Sequence, residues 1–276
     1  MRLTSDQIRF FELFGYLHLP GAFASDIAAI IKNFEQMWAD HGGGHAGKPH
    51  DHQQRSCIGA FIDRSETLSD LVDDARVDGI ASPLIGDDWN YMGSDGNLYA
   101  GDTPWHSDGW NRGVVRNIKL AFYLDPLTRD SGCLRVIPGS HRIDDRYAET
   151  LQTELGTWGA LGANLPAQAL ETRPGDVAIF DHNIKHAAFN GTGRRRMFTM
   201  NLSSRIPERL LPDLREGLKG AARFWVDEAY CGPQAPMRRK ADARRLRRLE
   251  QVIDNYDLVP EATREARKDM VEPARG

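Results

Sequence analysis

The chain has 276 residues, 41% hydrophobic and 27% charged, with a formal net charge of −4. This is a globular composition with length enough for a sizeable core, and it excludes a general electrostatic pull toward nucleic acid or an anionic membrane. Cys57, Cys133 and Cys231 are scattered and form no CxxC pair, no leader-like apolar region opens the chain, and no run of about 18 apolar residues occurs, so a cytoplasmic protein with reduced thiols is expected.

Thr4 and Gln7 make a T-x-x-Q capping box, with Leu3 and Ile8 as a hydrophobic staple, so a helix is predicted from there to Gly15. "YLHLP" then reads as a short strand. A second helix follows Ser25, because Ile27, Ile30, Ile31, Phe34 and Trp38 fall on one stripe. Residues 39–56, "ADHGGGHAGKPHDHQQRS", are rich in Gly and His and read as a lid-like loop. Their "HDH", 50–52, fits a solvated loop better than a metal pair, although it could close over a substrate.

From about residue 84, short apolar runs alternate with Gly, Pro and Asp turns. "RNIKLAFYL" puts Ile118, Leu120, Phe122 and Leu124 on one face, and "CLRVI", "GDVAIF" and "RMFTMNL" complete a set of strands. Such a set suggests a sandwich or jelly roll rather than βαβ units. After about 205, "PERLLPDLREGLKGAARFWVDEAY" and "PMRRKADARRLRRLEQVIDNY" look helical. Within "RRKADARRLRR" seven residues are positive and one negative, while Leu246, Leu249 and Ile253 keep helical spacing. The stripe is expected to pack and the arginines to face water, with no nucleic acid as partner. One domain spans 1–276: N-terminal helices and a lid-like loop over 1–83, a β core over 84–205, and a helical extension over 206–276.

The chemistry starts at "TPWHSDGW", 103–110. In a strand, His106 and Asp108 point to one side and can grip one metal ion, but two ligands need a third. Alone, an HxD triplet is weak and reads as a surface turn. Residues 175–202 supply the complement: an apolar strand, His182 and His186, an "NGTG" turn, then Arg194, Arg195 and Arg196. Such a hairpin holds an imidazole and a guanidinium on one wall. 2-Oxoglutarate chelates iron through its keto acid end, and its far carboxylate needs a planar two-point grip. If Met197 and Thr199 face inward, so does Arg195; Arg196 is the alternative. His186 sits beside the turn and the arginine, while His182 could contact substrate or simply lie in the loop.

Asn90, Tyr91 and Tyr99, just before the HxD strand, either line the co-substrate pocket or fill the strand. Trp105 and Trp110 read as core or pocket lining, and His141 as structural. Arg112, Arg116 and Arg135 either hint at a polar or anionic small-molecule substrate or serve the fold.

With these residues in place, the chain resembles the phytanoyl-CoA dioxygenase-like family of Fe(II)/2-oxoglutarate-dependent oxygenases over most of residues 4–205. "LTSDQIRFFELFGYLHLPGAF" is similar to the family's first helix, GY and strand; "WHSD" to its HxD, with Ser107 where Gln is frequent; "SGCLRVIPGSH" to the segment before the long crossover; and "PGDVAIF…H…N…RR" to the distal histidine and co-substrate arginine. The nine positions from His186 to Arg195 are slightly shorter than the family spacing, which keeps Arg196 in view. The last 70 or so residues carry no such likeness.

The resemblance implies a double-stranded β-helix (jelly-roll, cupin-like) core with flanking helices. It implies iron ligands His106, Asp108 and His186, with Arg195 on 2-oxoglutarate. With O2 as oxidant, the expected reaction hydroxylates a small molecule and releases succinate and CO2. Asp108 stands where related halogenases lack a carboxylate, so halogenation is not expected. Desaturation, cyclisation or epimerisation would use the same machinery. A redox-inert cupin-like module holding Zn²⁺ is the competing class.

Overall fold

The structure is a computed structural model that describes residues 1–109, 114–143, 145–154, 165–191, 193–226 and 235–276. Trp110, Arg112 and Cys231 lie outside the described residues, as do Thr192 of the "NGTG" turn and the end of the first C-terminal helical segment, 227–230.

Helix α1 (Ser5–Phe14) begins at the capping box: Thr4 Oγ1 accepts the Gln7 N–H at 3.2 Å and Gln7 Oε1 accepts the Thr4 N–H at 2.9 Å. It ends at Gly15, whose left-handed φ of 80° lets its N–H return to Phe11 O. Strand β1 (Tyr16–Leu19) follows at once. Helix α2 (Ile27–Asp40) buries Ile30, Phe34 and Trp38 from the predicted stripe and adds Met37. Stretch 39–56 is not an open loop. It folds into a small hairpin, β2 (Gly44–His45) and β3 (Lys48–Pro49), ahead of β4 (Ser56–Gly59). His45 is buried, its Nε2 donating to Pro273 O at 2.7 Å, so a residue far along the chain pins this hairpin. Helix α3 (Ala75–Ile85), which the sequence reading does not single out, starts on Asp74, whose carboxylate accepts the Arg76 N–H.

The remaining strands are β5 (Asn90–Leu98), β6 (Thr103–His106), β7 (Asn117–Tyr123), β8 (Leu134–Val136), β9 (Gln168–Leu170), β10 (Val177–Asp181), β11 (His186–Ala188) and β12 (Arg196–Ser203). They form a six-stranded sheet in the order β1-β10-β7-β12-β5-β4 and a four-stranded sheet in the order β6-β11-β8-β9. Every pairing is antiparallel. The edges of the larger sheet come from β1, the strand expected at "YLHLP", and from β4, both N-terminal to the expected β core of 84–205.

The larger sheet has two different faces, and residue alternation creates them. On β7, Ile118, Leu120 and Phe122 enter one apolar core, shared with Phe34, Trp38 and Ile80 of α2 and α3. Ala121 and Tyr123 turn to the other face and join a second core with Leu134 and Val136 of β8. On β12, Phe198, Met200 and Leu202 face the helices, while Met197 faces the smaller sheet. The predicted alternation of "RNIKLAFYL" therefore holds.

Helix α4 (Arg146–Glu154) lies between β8 and β9, and the C-terminal extension contains α5 (Leu211–Leu218), a 3-10 stretch at Lys219–Phe224, α6 (Ala243–Asp254) and α7 (Val259–Asp269). Helix α6 corrects the expectation for its arginines. Arg245 and Arg248 are each 3% exposed, whereas Leu246 is 45% exposed. Arg245 pairs with Asp70 and Asp73; Arg248 stacks on Trp89 at 3.8 Å and pairs with Asp78. The helix lies against an acidic wall; Leu249 and Ile253 of the expected stripe pack there and Arg244 and Arg247 stay exposed, while the ion pairs of Arg245 and Arg248 take the place of Leu246 on the buried side. Those guanidiniums are spent inside the molecule.

Phe122 and Phe198 stack at 4.6 Å with their planes 5° apart, joining β7 to β12 behind the chemistry-bearing face. Phe198→Ala is expected to cost about 3–5 kcal/mol, as for a fully buried aromatic. Urea denaturation should show a lower midpoint with unchanged slope.

Candidate active site

The smaller sheet brings the two ends of the sequence motif together. β11 pairs with β6 so that His186 lies directly opposite His106, and their rings are 4.1 Å apart. Asp108, just past β6, is tied down by its N–H donating to His182 O at 2.8 Å. Ser107 Oγ donates to Asn183 O at 2.9 Å. The resulting loop-to-loop ladder aims the Asp108 carboxylate between the imidazoles: His106 Nε2 is 3.6 Å from Oδ1 and His186 Nε2 is 3.6 Å from Oδ2. One donor atom from each of His106, Asp108 and His186 lies within 4.8 Å of the others.

The tautomers suit a metal. Each Nδ1 faces a carbonyl, His106 at 2.8 Å from Pro104 O and His186 at 3.0 Å from Ile184 O. Nδ1 must carry the proton to make that bond, which leaves the Nε2 lone pair free for coordination. Burial pushes His186 down to about 3, against the pull of Asp108, so it is neutral at neutral pH. Burial raises the Asp108 carboxyl, but the Lys119 ammonium and His186 outweigh it and hold the group well below the usual carboxylate range. Two imidazoles and one carboxylate form a donor set that fits a divalent ion and leaves open positions.

These groups open into a cavity of about 940 Å³. Arg195, Met197, Thr199 and Asn201 line it in alternation, as the pattern predicts. Arg195 Nη1 donates to Gly101 O at 2.8 Å, its Nε is buried without a partner, and its guanidinium lies 5.0 Å from the Tyr99 ring centre. Glycine makes room here: a Cβ at Gly191 would sit 1.9 Å from Arg195 Nη1. An orphaned guanidinium N–H in a cradle too tight for a side chain fits the distal carboxylate of 2-oxoglutarate. Arg196 turns away and is held by Asp125 and Glu35.

Tyr99 and Tyr91 line the cavity; Tyr91 donates to Asp63 at 2.6 Å. Asn90 does not line it. That side chain is fully buried and donates to Gln251 on α6 at 2.8 Å, so its polarity serves the docking of the C-terminal extension. His182 lines the cavity, and burial followed by the Lys119 charge pushes its imidazole down to about 4. His141 is structural, packed against Gly15 with Nε2 at 3.3 Å from Glu12 O. Trp105 packs at 6.0 Å from Phe189; His50 reaches Ser56, and Arg116 pairs with Glu12.

Among the cavity residues that the sequence reading does not single out are Lys119 and Arg55. Lys119 Nζ donates to Asp108 Oδ2 at 2.6 Å, and Arg55 stacks on Tyr99 at 4.4 Å while bonding Asn97. Lys119 had a signal: it is the one charged residue of β7. Arg55 had none, since its place depends on how β4 meets β5.

With this geometry in place, comparison with known proteins is decisive. The phytanoyl-CoA dioxygenase (PhyH) family model matches residues 11–198. The chain belongs to that family. It is similar to an ectoine dioxygenase of Sphingopyxis alaskensis, 28% identical over 218 residues, covering 67% of this chain and 70% of the relative. A 2-aminoethylphosphonate dioxygenase from an uncultured bacterium is 25% identical, covering 71% and 80%. Among solved structures, the non-heme alpha ketoglutarate dependent carbocyclase SnoK aligns with a TM-score of 0.57 and 21% identity, over 72% of this chain and 84% of that one. This PhyH-family chain is an Fe(II)/2-oxoglutarate-dependent dioxygenase that uses O2, and the competing expectation of a redox-inert module gives way.

His182 gives this site a pH signature. The unfolded imidazole takes a proton near 6.5, whereas the folded one resists until about 4. Stability of the metal-free protein should therefore be highest above pH 6.5 and fall as pH drops toward 4. His182→Asn should flatten that fall by up to about 1.4 kcal/mol per pH unit in urea titrations. An unchanged slope would mean that His182 titrates normally.

Proposed function

We propose that His106, Asp108 and His186 hold Fe(II), that Arg195 binds the distal carboxylate of 2-oxoglutarate, and that the enzyme hydroxylates a C–H bond of a small polar or anionic molecule. The observation that carries this reading is the convergence of two free Nε2 lone pairs and a carboxylate beside an arginine with an unmet buried donor. Iron held by His106, Asp108 and His186, with 2-oxoglutarate held by Arg195 as the two-electron reductant, would supply O2 activation for C–H hydroxylation, with succinate and CO2 as coproducts.

The chain's own residues do the rest. His106 and His186 stay in one tautomer because Pro104 O and Ile184 O hold their Nδ1 protons. The Arg195 guanidinium, stacked beside Tyr99, orients the co-substrate from its far end. Leu218 and Phe224 of the C-terminal extension add apolar lining to the cavity. We further read the two facing sheets as a double-stranded β-helix within one domain spanning 1–276, since their strand order makes both faces of one cavity. The relatives' names, ectoine dioxygenase and 2-aminoethylphosphonate dioxygenase, support a small-molecule substrate. The buried free thiols of Cys57 and Cys133 support a cytosolic setting, and no helix among the described residues is long and apolar enough to cross a membrane.

Assays under air with Fe(II) should show succinate formed as 2-oxoglutarate is consumed. Arg195→Met should raise the KM for 2-oxoglutarate roughly a hundredfold, the worth of a lost charge-assisted pair. Arg196→Met should instead lower thermal stability, because it strands Asp125 without its partner, and leave that KM in place. The reverse pattern would transfer the co-substrate role to Arg196.

A further inference from the structure

Lys119 has more hydrogen-bonding capacity than its neighbours use. Its side chain is 16% exposed, and its ammonium makes one hydrogen bond among the described residues, to Asp108 Oδ2. An ammonium carries three donors. Asp95, the next carboxylate on that wall, is already engaged by Thr199 and Asn97 at 2.5 Å each and by Arg55 at 3.5 Å. Once Asp108 shares its charge with a metal ion, the positive charge of Lys119 has no full counterion.

The residues around it are also incompletely satisfied. Asn201 lies directly across the β12–β7 pair from Lys119. Its Nδ2 donates to Gly93 O at 3.3 Å, while its Oδ1 is buried with no partner. His182 is 9% exposed and lines the cavity, and its imidazole faces the Asn201 side chain, yet no hydrogen bond of good geometry satisfies its Nε2. The two facing polar groups sit beside a donor-rich ammonium, and a ligand donor placed between them would satisfy both.

The co-substrate is not that ligand. Arg195 and Asn201 are six residues apart along the same stretch of chain, roughly 20 Å at about 3.3 Å per residue. Asp108, adjacent to Lys119, lies at the Asn201 end. A five-carbon diacid running from the metal toward Arg195 leaves the Lys119–Asn201 end open.

We propose that Lys119, Asn201 and His182 form the subsite for the head of the substrate, and that this head is a carboxylate with an adjacent N–H or O–H donor, as in an α-amino or α-hydroxy acid. The carboxylate takes the spare donors of Lys119, and the neighbouring donor meets Asn201 Oδ1 and His182 Nε2. A simple cation is repelled by Lys119, and a neutral ester leaves the ammonium without a counterion. The assignment rests on the iron reading above and names the substrate class for that site.

The test uses the full chain loaded with Fe(II) and 2-oxoglutarate. The probes are the common α-amino acids with lactate and malate, each beside its methyl ester and, for the amino acids, the amine lacking the carboxylate. Succinate release under air is read with the visible iron–2-oxoglutarate absorption band measured without oxygen. At least one acid should stimulate succinate release tenfold or more over its ester and amine. Lys119→Met should raise the KM for that acid at least tenfold with the band retained, Lys119→Arg should recover part of it, and Asn201→Leu should raise KM as well. The proposal is overturned if no acid stimulates, if an ester or amine matches its acid, or if KM is unchanged in Lys119→Met. It is also overturned if that variant loses only the band, which would mean that Lys119 acts through Asp108 alone. No band in the wild-type protein would overturn the iron reading itself, and this assignment with it.

Discussion

The antiparallel register of β6 against β11 is the constraint on which the site depends. It sets His106 opposite His186, and the side-chain period of a strand is two, so a slip of one residue would turn an imidazole out of the cavity. The register is held from outside the strands as well. The Asp108 N–H reaches His182 O and the Ser107 hydroxyl reaches Asn183 O, so the loop after β6 is laced to the loop before β11. The same lacing that fixes the strands therefore delivers the carboxylate between the two imidazoles.

The larger sheet contributes a wall rather than ligands. One face of β7 and β12 packs on helices through Leu120, Phe122, Phe198 and Met200, and this apolar layer leaves the opposite face free to be polar. Along β12 that face runs through Thr199 to Asn201, with Arg195 just ahead of the strand, so the two ends of one strand present different chemistry to the cavity. Beyond the family match, the C-terminal extension folds back over this opening. Ion pairs of Arg245 and Arg248 with acidic residues near α3 anchor it, and Leu218 and Phe224 reach the cavity. A segment outside the shared stretch thus shapes the volume in which a substrate must fit.

How much of this was legible in the sequence follows from how local each feature is. The capping box of α1, the alternation of "RNIKLAFYL", and the choice of Arg195 over Arg196 as the cavity-facing arginine each depend on a few consecutive residues, and each appears in the structure. Residue types alone point from the HxD to the segment 175–202, but only the resemblance makes His186 the third ligand, since nothing local links positions 80 residues apart. The features that escaped depend on partners far along the chain. Arginines of α6 turn inward because Asp70, Asp73 and Asp78 are waiting there, about 170 residues earlier. The hairpin within 39–56 forms where Pro273 accepts from His45. Sequence alone leaves Asn90 open between lining the pocket and filling the strand, and its bond to Gln251 decides the matter. Composition and periodicity describe what a residue prefers; they do not name the distant group that satisfies it.

The central claim is that His106, Asp108 and His186 form one iron site that accepts 2-oxoglutarate beside it. The most direct measurement is an anaerobic titration of Fe(II) into protein holding excess 2-oxoglutarate, followed by visible absorption. The account predicts a charge-transfer band that saturates at one iron per chain and is lost in His186→Ala. No band in the wild-type protein, or an undiminished band in that variant, would contradict it.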